Sequence, residues 1–351
     1  MSESQRRQLL LVVARLYYGD QKWSKTKISS ELDIPTMQVG RLLREAEDKG
    51  IVRFSFVPPE DEGLAGEVMS KYTFLRRVVI VPHIEDVLAQ QETLGSAAAK
   101  YFESEVFDGA RVALSGGNTV YQMVKRIPEK ERRLDIYPTA IIGRGPTTGH
   151  LDPMVLATLL WARSGAELGS KVYSVTVPPV KDNTSLPELA KEYRRIIKDL
   201  PEVDEVFEGM QSVDFVFASI GSVKTSERYR RARKRREMNL FGAIKISESD
   251  LRQLENDGVV GDINYSLFNS EGQTMRENWS PFRTLGVGVL RGMVQERGLH
   301  QKRVVIVVGQ YKITALKAAL AGQICNVLIT DDAAARELLE EKANRSEARM
   351  P

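Results

Sequence analysis

The sequence is poor in the residues that build covalent and metal-bound scaffolds. It has one cysteine, Cys325, and three histidines among 351 residues. A single cysteine excludes an intramolecular disulfide and suits a reducing compartment, so a cytoplasmic location is the expectation. His83, His150 and His300 are far apart, with no HxxxH, HxxE or CxxC spacing, which argues against a metal site. Long apolar runs are missing too. Runs such as Val304–Val308 fall well short of the roughly 18 residues a membrane helix needs. The start, MSESQRRQ, is charged and lacks the apolar stretch of a signal peptide. Neither GxxxxGK[ST] nor GxGxxG occurs, so no nucleotide cofactor is expected, and no repeat of about 20 to 50 residues stands out. The net charge of +3 is too mild to indicate nucleic acid by itself. What remains is a globular composition, 42% hydrophobic and 28% charged, long enough for two or three domains.

The first sixty residues carry three helical patterns. Leu9, Leu10, Val12, Val13, Leu16 and Tyr17 recur at helical spacing between Gln5 and Tyr18, and Gly19–Asp20 ends the run. Ser24 suits the N-cap of a second helix with Ile28 and Leu32 inward. Asp33–Ile34–Pro35 breaks the chain, and Pro35 suits the entry to a third helix because it lacks the N–H that would go unpaired there. Val39, Leu42, Leu43 and Ala46 form the buried face of this helix, and Gly50 stops it. Ile51 to Phe56 then alternates like the strand of a wing. The opposite face of the third helix carries Thr36, Gln38, Arg41 and Arg44. Gln pairs bidentately with adenine and Arg with guanine in the major groove. Lys22, Lys25 and Lys27 flank the second helix, where they would neutralise phosphate. A helix-turn-helix on double-stranded DNA is one reading; a three-helix cap or dimerisation layer with a solvated outer face is the other.

VPPEDEG, residues 57 to 63, is a connector, and 64 to 76 reads as a linker helix or dimer contact. The boundaries expected are 1–57 for the helix-turn-helix, 58–76 for the linker and 77–345 for the second domain. There the pattern predicts strands at Arg77–Val81, Arg111–Ser115, Thr139–Ile142, Val172–Val177, Val213–Ser219, Thr284–Leu290, Val304–Val308 and Asn326–Thr330. Helices are expected between them, among others at Thr93–Glu105, Thr119–Arg126 and Ile313–Ala321. Such alternation implies an α/β fold with a mostly parallel, doubly wound sheet. Ligands on such sheets bind in the loops past the strand carboxyl ends. One loop is SGGNT, Ser115, Gly116, Gly117, Asn118 and Thr119: two glycines, three side-chain donors and a following helix N-terminus that favours an anion. Others are GRGPTTGH with Gly143 and Arg144, IGSVKTS with Gly221 and Ser222, GQYK with Gly309 and Lys312, and TDD with Asp331 and Asp332. Together they suit a small polar anion such as a sugar phosphate. The run RYRRARKRR, Arg228 to Arg236, has seven basic residues in nine. It fits a solvated face, a phosphate-gripping lid or a second nucleic-acid contact.

The chain resembles the SorC family of bacterial transcriptional regulators over nearly its whole length. VARLYYGD and VGRLLREAEDKGIVRF match that family's DNA-binding segment. VALSGGNTVYQMV stands where the family carries a Ser-Trp-Gly-Arg-Thr loop, GVVGDINYSLFNSEG matches its Gly-Asp segment, and GQYKITALKAALAGQICNVLITDDAAARELL its C-terminal segment. The resemblance implies an N-terminal winged helix-turn-helix and a sheet related to sugar-phosphate isomerases and CoA transferases. It also implies operator DNA and a sugar or sugar-phosphate effector as partners, and a tetramer. Effector contacts are implied from Ser115, Gly116, Gly117, Asn118, Thr119, Gly143, Arg144, Asp262, Gly309 and Lys312. Gly116 and Asn118 replace the family's bulky Trp and basic Arg, which reshapes the pocket and removes a charge. Pro35 and Gly40 stand where serines are usual; Gly40 weakens the helix by roughly 1 kcal/mol relative to Ala but permits close approach to DNA. An isomerase-like enzyme with an appended helical domain is the alternative, with Asp262 and Asp331 as candidate bases but no His partner visible in sequence. No catalytic residue and no cofactor is assigned.

Overall fold

The computed structural model describes residues 3–20, 22–52, 58–141, 152–165, 169–175, 186–198, 200–223, 248–276, 283–296 and 301–340. The chain divides into two compact units, Met1–Phe56 and Val57–Pro351. Among the described residues no helix is long and apolar enough to cross a membrane.

The first unit is three helices, α1 (Glu3–Tyr18), α2 (Lys25–Leu32) and α3 (Thr36–Asp48). Ser24 caps α2 by accepting the Lys27 N–H at 3.2 Å. The break after α2 is an αL cap at Asp33, φ 51°, whose N–H reaches back to Ser29. Its core is Leu10, Val13, Ile28, Val39, Leu42, Leu43 and Ala46. An Arg6–Glu45 ion pair at 2.5 Å ties α1 to α3. Ile51 and Val52 form a bend against this core, and the rest of the expected wing, residues 53–56, lies outside the described residues.

The second unit begins with α4 (Glu62–Lys71) and β1 (Arg77–Val81), then α5 (Val87–Glu105), β2 (Arg111–Leu114), α6 (Asn118–Arg126), β3 (Asp135–Pro138), β4 (Ala140–Ile141), α7 (Pro153–Arg163) and β5 (Lys171–Val172). It continues through α8 (Leu186–Ile197), α9 (Pro201–Gln211), β6 (Phe215–Ala218), β7 (Ile220–Ser222), α10 (Glu248–Asn256), β8 (Val259–Ile263), β9 (Ser266–Asn269), β10 (Thr274–Met275) and β11 (Arg283–Thr284). It ends with α11 (Val287–Gln295), β12 (Arg303–Val307), a 3-10 turn at Gln310–Lys312, α12 (Ile313–Ala321), β13 (Val327–Asp331) and α13 (Asp332–Glu340). Seven strands form a parallel sheet in the order β1-β13-β12-β6-β2-β3-β5. Its strands are apolar on both faces, as a sheet covered on both sides requires. Val79, Val112, Leu114, Phe217 and Val305 pack on α5, α6 and α7 through Leu94, Phe102, Met123 and Leu160. The alternate residues Val78, Ile80, Ala113, Val216 and Ile306 pack on Val68, Val206, Leu290, Leu316 and Leu338 of the opposite layer. Residues 64 to 71, read from sequence as linker, thus carry core side chains of this unit.

Several features depart from the sequence reading. The expected strand Val172–Val177 is a strand only at Val172 among its described residues, and the parallel strand β3, Asp135–Pro138, precedes the expected Thr139–Ile142, of which Ala140–Ile141 pairs antiparallel with β11 instead. Thr284–Leu290 is not a strand: β11 covers only Arg283–Thr284, and Gly286 opens helix α11. The run LGVGVL is too short for its period to separate helix from strand. A further departure is an antiparallel sheet, β10-β9-β8-β7, that the sequence did not announce. Its β8–β9 hairpin turns on Asn264 and Tyr265, with φ 50° and 67°, the two-residue turn whose twist matches the strands. Asn264 is locked by Thr139 Oγ1, which donates to its Oδ1 at 2.9 Å, and by its own Nδ2 donating to Leu285 O at 2.8 Å.

Candidate functional site

Sheet order decides which loops meet. Since β2, β6 and β12 are adjacent, the loops leaving their carboxyl ends lie side by side: SGGNT after β2, Ser219–Ile220 after β6, and GQYK after β12. Ser219–Ile220 is clasped from both sides. Its Ser219 N–H donates to Ser115 Oγ at 3.2 Å, and the Ile220 carbonyl accepts Lys312 Nζ at 2.5 Å. The SGGNT loop and Lys312 are therefore joined through two consecutive residues.

Within SGGNT, Ser115 and Thr119 are buried, so the half-buried Gly116, Gly117 and Asn118 form its open surface. Gly117 has φ 112°, a conformation that penalises any side chain, and it opens α6 with no side-chain cap on the first N–H groups. Asn118 is oriented by its Nδ2, which donates to Gln91 Oε1 of α5. Gln91 is buried, and sequence reading missed it because it stands 27 residues upstream; two consecutive glutamines in an otherwise Ala-rich helix were its only signal.

Asp262 and Lys312 are brought together by β7. Asp262 on β8 stands opposite Gly221 on β7, one residue from the carbonyl that holds Lys312. Both side chains are buried. Burial pushes the Asp262 carboxyl up to about 7, against the opposing pull of the Lys312 ammonium and a hydrogen bond from the Tyr265 backbone. Among the described residues Asp262 Oδ1 has no hydrogen-bond partner, so the site holds a buried acceptor matched to a hydroxyl donor. Gly309 caps the 3-10 turn, its carbonyl accepting the Lys312 N–H at 3.0 Å. Asp331, at the end of β13, is fully buried and accepts the N–H groups of Gln310 and Ala334, both at 2.9 Å. His83 Nδ1 lies 3.6 Å from its Oδ1, a pairing not visible in sequence. Burial raises the Asp331 carboxyl, with the two N–H bonds and His83 opposing. Gly143, Arg144 and the run Arg228 to Arg236 lie outside the described residues. Among those described, no cluster of three or more His, Cys, Asp or Glu could hold a metal ion.

In the first unit, Thr36, Arg41 and Arg44 are exposed on α3, while Gln38 is half-buried on its flank. Lys25 and Lys27 are exposed on α2, each over an aromatic ring, Tyr17 at 5.6 Å and Trp23 at 4.2 Å.

A three-helix unit followed by an α/β unit whose parallel sheet is covered on both faces, with polar loops at the strand ends, defines the class: a helical module joined to a small-molecule-binding module. The family described as "Putative sugar-binding domain" matches residues 63–340. The chain is 25% identical over 343 residues to the deoxyribonucleoside regulator of Bacillus subtilis, spanning 97% of this chain and 99% of that protein. It is 24% identical to the sorbitol operon regulator of Klebsiella pneumoniae, spanning 97% of this chain and all of that protein. The full-length crystal structure of that regulator superposes with a TM-score of 0.58 at 20% identity, covering 96% of this chain and 100% of the other. A sugar-binding regulator domain from Arthrobacter aurescens superposes at 0.61, with 20% identity over 80% of this chain and 97% of the other. The chain belongs to this sugar-binding-domain family, the SorC-type transcriptional regulators.

Proposed function

We propose that this protein is a transcriptional regulator that binds operator DNA through α3 and is controlled by a sugar or sugar phosphate held at the carboxyl ends of β2, β6 and β12. The observation that carries the reading is one chain joining a helix whose exposed face carries Arg41 and Arg44 to a sugar-binding unit whose loops converge on Asp262 and Lys312. Asp262 Oδ1 accepts a ligand hydroxyl, Gly116 and Gly117 offer backbone N–H groups to an anionic end, and Lys312 supplies the nearby positive charge. Gly143 and Arg144, outside the described residues, are effector contacts that the family resemblance implies. Thr36, Arg41 and Arg44 face the major groove, with Gln38 beside them, and Lys25 and Lys27 meet phosphate. Subunits assemble as a tetramer through the second unit and present paired recognition helices to two half-sites. An effector that prefers one arrangement of subunits shifts operator affinity, and operator shifts effector affinity by the same factor.

The test is fluorescence anisotropy of the DNA upstream of the protein's own operon at fixed salt, with and without a panel of sugars and sugar phosphates. Saturable binding that exceeds scrambled DNA and that one compound shifts supports the reading and names the effector. Equal affinity for scrambled DNA under every compound overturns it.

A further inference from the structure

Met37 is the most exposed large hydrophobic side chain among the described residues, at 72%. It sits in the first turn of α3, on the axis of its outer face. At about 100° per residue, Met37, Arg41 and Arg44 fall within about a sixth of a turn of one another. They stand opposite the buried Val39, Leu42, Leu43 and Ala46. Gln38 is rotated about a quarter turn off that axis. The thioether already touches its neighbour on the stripe, with Arg41 Nη2 3.9 Å from Met37 Sδ. A Cβ built at Gly40 meets nothing within 4 Å, so one flank of the stripe carries no side chain that would hold a partner away.

An apolar side chain largely exposed to water beside two cations has one complement on a DNA duplex. In the major groove the only apolar feature of a base edge is the C5-methyl group of thymine. We infer that Met37 reads a thymine methyl in the operator half-site, next to the base pair read by Arg41. This rests on the DNA-binding reading above. Met37 and Arg41 are separated by about 6 Å along the helix axis, close to two base-pair steps. The half-site therefore carries a thymine one or two base pairs from the guanine of Arg41. Reading by a flexible thioether also explains why so exposed a methionine sits where a recognition helix ordinarily carries polar groups.

The test uses the full-length protein and a random-sequence double-stranded DNA pool. After enrichment, each thymine of the selected half-site is replaced singly by deoxyuridine, which removes the methyl and nothing else. The expected result is one position where deoxyuridine weakens wild-type binding about four-fold, the worth of one buried methyl. At that position Met37→Ala loses the sensitivity and Met37→Leu retains it. Arg41→Ala relaxes the neighbouring guanine instead. An enriched half-site whose thymines all tolerate deoxyuridine, or respond equally in wild type and Met37→Ala, overturns the thymine contact and leaves the DNA-binding reading intact. A pool that enriches nothing overturns both.

Discussion

At the scale of the residue, Asp262 makes the sharpest demand. Its carboxyl is raised to about 7 by burial, while an unfolded aspartate titrates near 4. Between those values the folded chain holds a proton that the unfolded chain has released. Asp262 therefore favours the folded state fully at low pH, and that contribution is lost as pH rises from about 4 to about 8. Asp262→Asn removes the titration. The expected outcome is that thermal midpoints of wild type and variant, measured across this range, diverge progressively, with wild type falling relative to the variant towards pH 8. Parallel curves would place the carboxylate in a more polar setting than its burial implies. A hydroxyl donor at Oδ1 stabilises the ionised form, so effector affinity should strengthen over the same interval. The sequence announced Asp262 only through likeness to a family. It sits in a fully buried strand, and what makes it unusual, an acceptor closed in beside Lys312, depends on β7 and β8 being paired. Met37 was passed over for a related reason: exposure is a property of the folded helix, and a methionine in a helical pattern reads first as core.

At the scale of the element, helices with strong periodicity and clear stops were legible. Ser24, Asp33 and Pro35 set the ends of α2 and the start of α3 close to where side-chain chemistry places them. The buried parallel strands at Arg77, Arg303 and Val327 were legible as short Val/Ile runs. The antiparallel sheet was not, because its hairpin turns on Asn-Tyr rather than a glycine-bearing pair, and β7 follows β6 after a single residue. Packing between elements was also hidden. A Cβ added to Gly95 on α5 would lie 2.5 Å from Gln122 Cβ and 2.8 Å from the Gln122 backbone carbon on α6. That contact lets α5 and α6 approach closely, and α6 begins with Asn118 of the candidate site. Gly95→Ala should push α6 outward and cost about 1–3 kcal/mol. A lowered denaturation midpoint with weakened effector binding is expected, from chemical melts and titration calorimetry on the same variant. An unchanged midpoint would mean the helices separate without strain.

At the scale of the whole molecule, the single cysteine is a built-in reporter. Cys325 is completely buried just before β13, and burial pushes its thiol up to about 12. It should react with a disulfide reagent only when the second unit opens. Effector bound at about 100 times its Kd should slow labelling about 100-fold, because opening must first release it; first-unit variants such as Arg41→Ala should label at the wild-type rate. Labelling at the same rate with and without effector would show that opening of this region is not coupled to the effector site. The same region also sets an order in time. Strand β13 lies between β1 and β12, and among the described residues it is the one strand that β1 pairs with. Its partner waits about 250 residues of synthesis, so the sheet cannot close until nearly the whole chain has left the ribosome. The three helices of the first unit need no such delay, since their contacts are local and form within their own segment. A growing chain thus acquires its three-helix unit well before its parallel sheet is complete. On the proposed assembly through the second unit, a chain truncated before Val327 would keep the three helices yet neither close the effector site nor present paired recognition helices to an operator.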